Sequence, residues 1–352
     1  MSPRRDIVPF AFLGGMPQRP IGSIIQLMFR LLALLQLTRA ALAFTAIADA
    51  WTVLLLRPPS VPADPMWLLI LRMIITGVVS ACLYGFGMAL NDLLDARRDR
   101  IFARHRPIPS GRIGWRTAII TALLLMMTAL FAAAMLMPLS NTYWPLSFLL
   151  AFATALLIVF YDATSKYLGG LGLLTLGLVR AIHCMIGNPQ TPLLFLSMLL
   201  LTHVALISLV AYRYENKRPR LKWWDVATVI TGLVVLNTTA LAYMYWRGAL
   251  VTENLPMLIG PGIAALVYLL WATFTLRQKK LTPRQRGERL ILMGLFWLFI
   301  YDASILVSNG QYLAGVAITL LLVCAIVSFF GLRWLGRRLT QPRLTYRASS
   351  QN

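Results

Sequence analysis

The chain has 352 residues, of which 59% are hydrophobic and only 13% are charged, and its formal net charge is +21. Its apolar stretches repeatedly reach the roughly 20 residues that a helix needs to cross a bilayer, which indicates a polytopic membrane protein without a soluble domain. The basic residues are divided among short loops rather than gathered on one face, which argues against nucleic acid as a partner. All three cysteines fall within apolar stretches, so neither a disulfide framework nor a thiolate zinc site is supported.

The predicted fold is all-α, a polytopic membrane bundle of nine to ten transmembrane helices. Lys and Arg in short loops stay on the cytoplasmic side of a membrane. They are concentrated before the first span, after the second, sixth and eighth spans, and at the C-terminus. Both termini are therefore predicted to be cytoplasmic, and an even number of spans, ten, is favoured over nine. The spans are predicted near residues 34–56, 66–90, 117–137, 143–161, 168–187, 193–213, 225–246, 255–275, 290–308 and 312–332.

Three segments follow from this topology. Residues 1–33 form a basic cytoplasmic N-terminal segment, residues 34–332 form one transmembrane domain, and residues 333–352 form a basic cytoplasmic tail. No cleaved signal peptide is predicted, because no short apolar core with a small-residue cleavage site follows the first arginines. Anionic lipid headgroups and anionic substrates are the expected partners of the basic loops.

An acidic segment follows the second span. Asp92, Asp95 and Asp99 are spaced i, i+3, i+7, which puts all three on one face of a helix, with Asn91 directly before them. Three anions stacked in this way repel one another unless a cation lies among them. Hard carboxylate and amide oxygens suit Mg²⁺, which keeps several waters and shares its remaining positions with substrate phosphates. The sequence therefore predicts Mg²⁺ at the cytoplasmic membrane surface.

A basic turn comes directly after the acidic segment, at residues 104–112. Two prolines break the helix there, and the turn carries Arg104 and Arg106. Cations beside metal-binding carboxylates are what a diphosphate requires, because Mg²⁺ bridges phosphate oxygens to Asp while Arg neutralises the remaining charge. The alternative is a solvated basic loop whose arginines pair with the neighbouring carboxylates.

These two segments together, N-D-x-x-D-x-x-x-D from Asn91 and R-P-I-P-S-G from Arg106, resemble the first signature of the UbiA-type prenyltransferases. The resemblance implies an all-helical membrane enzyme that transfers an isoprenoid chain from its diphosphate to an acceptor, using Mg²⁺. By the same resemblance, Asn91, Asp92 and Asp95 are ligands of metal and diphosphate, and Asp99 supports them.

A second region also resembles this family, at the end of the fourth span. Tyr161, Asp162 and Lys166 correspond to the family's Tyr and Lys element, although the usual spacing is Tyr-x-x-x-Lys. The resemblance implies that Lys166 contacts the diphosphate. Tyr161 and Asp162 are candidates for shielding the allylic cation or for deprotonation. Lys166 could instead be an interfacial lysine paired with Asp162. Arg180 lies deep in the next span, where an arginine costs about 3 kcal/mol or more, so it is predicted to contact substrate or a buried partner.

The chain departs from the family pattern after the sixth span, where a second motif, commonly D-x-x-x-D, is expected. Only Glu215 is present there. Three explanations stay open: Glu215 with Asn216 holds a second Mg²⁺, nearby cations replace that metal, or the diphosphate chemistry is weak or lost. The bacterial subgroup found in Ebo-type gene clusters, which Tyr-Asp-Ala with a later Arg also resembles, shares this reduced motif. We therefore expect a bacterial inner-membrane location.

Other polar residues within the spans are expected to face the bundle interior, because they are expensive in lipid. Asp49 lies in a segment that resembles the family's first span and is predicted to touch acceptor or diphosphate. Asp302 is predicted to be a hydrogen-bonded packing residue. The histidines do not form a metal-ligand spacing, so zinc is not indicated.

The sequence therefore predicts Mg²⁺-dependent transfer of a prenyl group from a prenyl diphosphate to an unidentified acceptor within the membrane. The alternative is a transporter or lipid-binding membrane protein that uses the acidic cluster for cation or phosphate binding. Such a transporter predicts paired repeats and broken helices at the midplane, and the sequence contains no convincing repeat. A CDP-alcohol phosphotransferase is disfavoured, because its longer D-G-x-x-A-R pattern is absent.

Overall fold

The computed structural model describes residues 20–56, 65–139, 146–191, 193–215 and 220–340. This part of the chain contains eleven α-helices and no β-strand, so the all-α prediction is confirmed. The helices are α1 (Pro20–Leu37), α2 (Ala40–Leu55), α3 (Met66–Phe102), α4 (Trp115–Met135), α5 (Leu146–Ala163), α6 (Gly170–Cys184), α7 (Phe195–Glu215), α8 (Trp223–Trp246), α9 (Ile259–Arg277), α10 (Pro283–Ser308) and α11 (Tyr312–Thr340). Short 3₁₀ turns cover Ser165–Tyr167, Met185–Gly187 and Thr252–Leu258.

The protein is an integral membrane protein. Among the described residues, nine helices, α3 to α11, are long and apolar enough to cross a bilayer. The end of α1 and the whole of α2 form a bent pair, at 49°, that makes a tenth candidate span. Each of the ten predicted spans thus has a counterpart, and the first of them is broken.

The break lies at Thr38 and Arg39, where the sequence predicts one continuous span. Arg39 has φ 46° and ψ 44°, a left-handed conformation that is uncommon for any residue other than glycine. The Thr38 amide and the Thr38 hydroxyl both donate to the carbonyl oxygen of Leu34 at 3.0 Å, so α1 keeps its regular pairing up to the break. The domain boundary predicted at residue 34 therefore falls inside α1.

Two helices extend beyond the predicted spans into charged sequence. α3 continues from the predicted end at residue 90 to Phe102, so the acidic segment forms its last turns. α10 begins at Pro283, because the Thr282 hydroxyl caps it by accepting from the Gln285 amide at 3.3 Å. Hydropathy predicts where a helix leaves the apolar layer and not where its backbone hydrogen bonding ends. The carboxylates of α3 are consequently held on a rigid helix.

α2 is the central helix of the bundle, packed against α3, α6, α10 and α11. Its buried face is rich in alanine, including Ala41, Ala46 and Ala50, and such small side chains allow neighbouring helices to approach closely. One apolar cluster joins α3, α4 and α5, and a second joins α2, α7, α10 and α11. The candidate site lies where α2 and α3 meet the turn before α6.

Candidate active site

Three aspartates line the last turns of α3. Asp92, Asp95 and Asp99 lie on one face, as their spacing predicts, and each is 3% exposed. Their burial is unusual, because a carboxylate loses hydration energy there unless cations or hydrogen-bond donors replace the water. The neighbours of these three side chains therefore define the site.

Arg106 joins two of the aspartates. Its Nη1 lies 3.1 Å from Asp92 Oδ1 and 2.6 Å from Asp99 Oδ2. The turn that presents Arg106 is closed by backbone hydrogen bonds, including one from the Ile113 amide to the Pro107 carbonyl at 3.1 Å. The proline-rich segment thus positions a cation over the acidic face of α3.

Arg112 fastens the same turn from its other end. Its Nε donates to Ser110 Oγ at 3.0 Å and its Nη2 donates to the His105 carbonyl oxygen at 2.6 Å. Burial lowers the pKa of the Arg112 guanidinium, but an arginine stays charged in proteins. Arg112 therefore acts on the shape of the turn rather than on the carboxylates.

Lys166 brings the second predicted region to the acidic face. Its Nζ donates to Asp95 Oδ1 at 3.0 Å and to Asn91 Oδ1 at 3.2 Å, and it lies 3.7 Å from Asp162 Oδ1. The Lys166 side chain is fully buried, at 0% exposure. Both the sequence-predicted pairing with Asp162 and the contact with the α3 carboxylates are therefore present.

The glycines at the start of α6 allow the Lys166 turn to fold against that helix. A Cβ on Gly172 would collide with the carbonyl oxygen of Ser165 and lie 2.9 Å from the Cα of Lys166. Gly169 has φ +56°, and the Gly170 amide donates to Asp225 Oδ1 at 3.0 Å. Any larger side chain at these positions would displace the turn, and Lys166 with it.

A second buried ionic cluster lies deeper in the bundle. Arg180 Nε contacts Asp49 Oδ2, and Asp302 lies beside Asp49. Asp49 and Asp302 are completely buried. Asp49 follows Arg39 by ten residues, which on a helix corresponds to about 15 Å, so this pair does not belong to the carboxylate face of α3. Asp302, which the sequence predicts to be a hydrogen-bonded packing residue, lies beside Asp49.

Comparisons with known proteins show which sequences and which solved fold this chain is similar to. No protein-family model matches the chain. It is 28% identical to the digeranylgeranylglyceryl phosphate synthase of Metallosphaera sedula over 221 residues, which are 57% of this chain and 70% of the relative. It is 31% identical to the enzyme of the same name from Sulfurisphaera tokodaii over 120 residues, which are 34% of this chain and 39% of that relative.

A solved structure described as giving insights into digeranylgeranylglyceryl phosphate synthase in membranes shares the fold. It has a TM-score of 0.54 and 17% identity, and the match covers 79% of this chain and 98% of that one. The chain therefore shares the fold of this solved structure and is similar in sequence to the two synthases. A UbiA homolog from Archaeoglobus fulgidus, solved with GPP and Mg²⁺, has a TM-score of 0.43 and 15% identity over 85% of this chain and 99% of that chain.

Two further residues reach the aspartates without having been predicted. Arg39 Nη2 lies 3.7 Å from Asp92 Oδ1, and the Tyr167 hydroxyl donates to Asp95 Oδ1 at 3.4 Å. The signal for Arg39 was a cation within an apolar span, which calls for a partner. The signal for Tyr167 was its position next to Lys166. Tyr161, the tyrosine predicted from the family spacing, is half-buried, and it is Tyr167 whose hydroxyl reaches the aspartate.

Two predicted residues are not brought into the cluster by the described contacts. Arg104 is exposed, and its Nε donates to the Arg100 carbonyl oxygen at 2.9 Å. Glu215 is the last residue of α7, and its side chain lies outside the described residues. The contacts of the described residues thus assemble the site from α3, the turn after it, the break before α2 and the turn before α6.

The donor set suits Mg²⁺ in its chemistry. Asn91, Asp92 and Asp95 offer hard amide and carboxylate oxygens on one helix face, and Mg²⁺ completes its octahedron with water and phosphate oxygens. Within the described ranges, no three His, Cys, Asp or Glu side chains are arranged to hold an ion by themselves. Asn91, Asp92 and Asp95 would leave positions on such an ion for water and phosphate oxygens.

Proposed function

We propose that the protein transfers a prenyl group from a prenyl diphosphate to an acceptor in the membrane, with Mg²⁺ as the cofactor. One observation carries the proposal: three buried aspartates of α3 meet Arg39, Arg106 and Lys166 at one end of an apolar helical bundle. A diphosphate with an apolar chain has the matching chemistry, because the diphosphate requires cations and the apolar chain requires an apolar surface between the helices. The sequence relatives, both named digeranylgeranylglyceryl phosphate synthases, support the same reaction class.

Each residue has a distinct task in this proposal. Asn91, Asp92 and Asp95 hold the metal and, through it, the diphosphate, while Asp99 keeps Arg106 in place. Bound Mg²⁺ supplies Lewis-acid stabilisation of the departing diphosphate. Arg106, Arg39 and Lys166 neutralise the charge that develops on the leaving group as its carbon–oxygen bond breaks.

The carbon that loses the diphosphate becomes an allylic cation and requires protection from water. Tyr167 lies next to Lys166 at the edge of the site, and an aromatic ring there can stabilise a nearby cation. Asp162 lies beside Lys166 and is proposed to take up the proton that the acceptor releases. Tyr161 is kept as a shielding residue on the family resemblance alone.

The names of the relatives suggest a first acceptor to test. Because their product is a prenylated glyceryl phosphate by name, we propose a glyceryl phosphate lipid as the first acceptor to examine. Arg180 and Asp49 are proposed to lie on the acceptor side, deeper in the bundle. Three statements stay predictions: the bacterial Ebo-type subgroup, the cytoplasmic termini and the role of Glu215 at a second metal.

The proposal is tested by diphosphate release from purified protein. Geranyl, farnesyl and geranylgeranyl diphosphate are each supplied with a total lipid extract as the source of acceptor, once with Mg²⁺ and once with a chelator in excess. We expect release with at least one chain length in Mg²⁺ and a loss of at least about tenfold with chelator. Equal release with and without the chelator would remove the metal from the proposal, and no release from any of the three would contradict the reaction itself.

A further inference from the structure

Lys166 occupies the oxygens that the proposed function assigns to the metal. Its Nζ donates to Asn91 Oδ1 at 3.2 Å and to Asp95 Oδ1 at 3.0 Å, and Asp162 Oδ1 lies 3.7 Å away. These are hard oxygens of the kind that bind a divalent cation. The fully buried ammonium therefore lies at the position where these oxygens would attract a cation most strongly.

Among the residues that the structure describes, the charges of this cluster balance without any metal. Four carboxylates, those of Asp92, Asp95, Asp99 and Asp162, face four cations. The cations are Arg39, Arg98, Arg106 and Lys166, each within 4 Å of at least one of these carboxylates. A neutral cluster gives a divalent ion little net attraction, since every carboxylate already has a partner.

Lys166 and a metal ion also compete directly. Mg²⁺ binds oxygen at about 2.0–2.1 Å, so an ion on Asp95 Oδ1 would lie within about 5 Å of the Lys166 ammonium. Repulsion between a divalent and a monovalent cation at that separation is strong in a buried site. Metal binding therefore requires Lys166 to find another partner, and its flexible four-carbon stem allows this movement.

We propose that Lys166 is an exchangeable internal counter-ion that makes metal binding depend on diphosphate binding. In the free protein its ammonium neutralises Asp95 and keeps Asn91, Asp95 and Asp162 together. When a diphosphate binds together with a metal, Lys166 would move from Asp95 to a phosphate oxygen, and the Asp95 carboxylate would then be free to hold the metal. The inference rests on the proposed function for the identity of the diphosphate, and it adds an order to the binding events.

The test measures binding without turnover. Mn²⁺ replaces Mg²⁺ and is followed by electron paramagnetic resonance, and an unreactive thio analogue of geranyl diphosphate replaces the substrate. Wild-type protein is expected to bind Mn²⁺ at least tenfold more tightly with the analogue than without it. In Lys166→Met, Mn²⁺ binding to the free protein is expected to tighten at least tenfold, while binding of the analogue weakens at least tenfold.

A merely structural lysine would not give these opposite changes, because a loosened site loses affinity for both ligands. Lys166→Gln is measured in parallel, since its amide can still donate to Asp95 if the methionine variant does not fold. Lys280→Met is the matched control, because Lys280 is exposed and is expected to change neither affinity. Unchanged or weaker Mn²⁺ binding by both variants in the absence of the analogue overturns the inference alone. If wild-type protein binds neither Mn²⁺ nor the analogue, the proposed function fails with it.

Discussion

Replacing Asp92 and Asp95 together by asparagine is expected to lower diphosphate release from geranylgeranyl diphosphate at least about a hundredfold. Asparagine keeps the size of each side chain but removes two of the charges that bind the metal, and loss of one electrostatic stabiliser typically costs about a hundredfold or more. Arg106 then keeps Asp99 and Lys166 keeps Asp162, but each loses one of its carboxylate partners. Release is measured with purified protein, Mg²⁺ and the lipid extract described above.

The control for this double variant is Glu288→Gln. Glu288 is an exposed carboxylate, paired with Arg284 at 2.8 Å on the surface of α10, and its loss is expected to leave release unchanged. Thermal unfolding of the double variant in detergent separates lost chemistry from lost structure. Release that survives in Asp92→Asn/Asp95→Asn at the wild-type rate would show that the α3 face is not the site.

Replacing Arg180 by methionine is expected to have the largest effect on stability. Arg180 contacts Asp49 in the bundle interior, with Asp302 beside them, and both aspartates are completely buried. Removing one partner of a buried ion pair typically costs about 3–5 kcal/mol, because the remaining charge is left without compensation. The free energy of unfolding is therefore expected to fall by about that amount, measured as a lower thermal unfolding midpoint in detergent.

A compensating change sharpens this prediction. The double variant Arg180→Met/Asp49→Leu removes both charges and is expected to recover most of the lost stability, because an apolar pair of similar volume is often as stable as a buried ion pair. Arg247→Met is the control, since Arg247 is exposed at the end of α8. A single Arg180→Met variant as stable as wild type would mean that this pair does not hold α2 and α6 together.

The parts of the site that the sequence predicts are those fixed by helical periodicity. Asp92, Asp95 and Asp99 share a face because a helix with 3.6 residues per turn places positions i, i+3 and i+7 on one side. The Pro-rich turn follows directly in the chain, so it must lie close to these aspartates. Lys166 is different: it meets Asp95 from a distance of 71 residues along the chain. Its place in the site was predicted from family resemblance, because no local pattern specifies a contact of that range.

The parts that the sequence does not predict depend on backbone breaks and on the choice of partner. Arg39 reaches Asp92 because the first span breaks at that residue, and hydropathy is the same for a broken helix and a straight one. For Asp49, Arg180 and Asp302, their cost in lipid predicts that each has a buried partner but not which helix supplies it. Arg104 was predicted to bind substrate because it lies in the basic turn. Its side chain instead donates to the Arg100 carbonyl oxygen at the end of α3.

The central claim, prenyl transfer to a membrane acceptor, is tested most directly by mass spectrometry of lipids from cells with and without this protein. Cells that make only the Asp92→Asn/Asp95→Asn variant serve as the inactive control. Prenyl transfer predicts a lipid that is present only with the wild-type protein and exceeds a precursor by the mass of a whole number of isoprene units. Lipid profiles that are identical in all three cell lines, under conditions where the wild-type protein is present in the membrane, would contradict it.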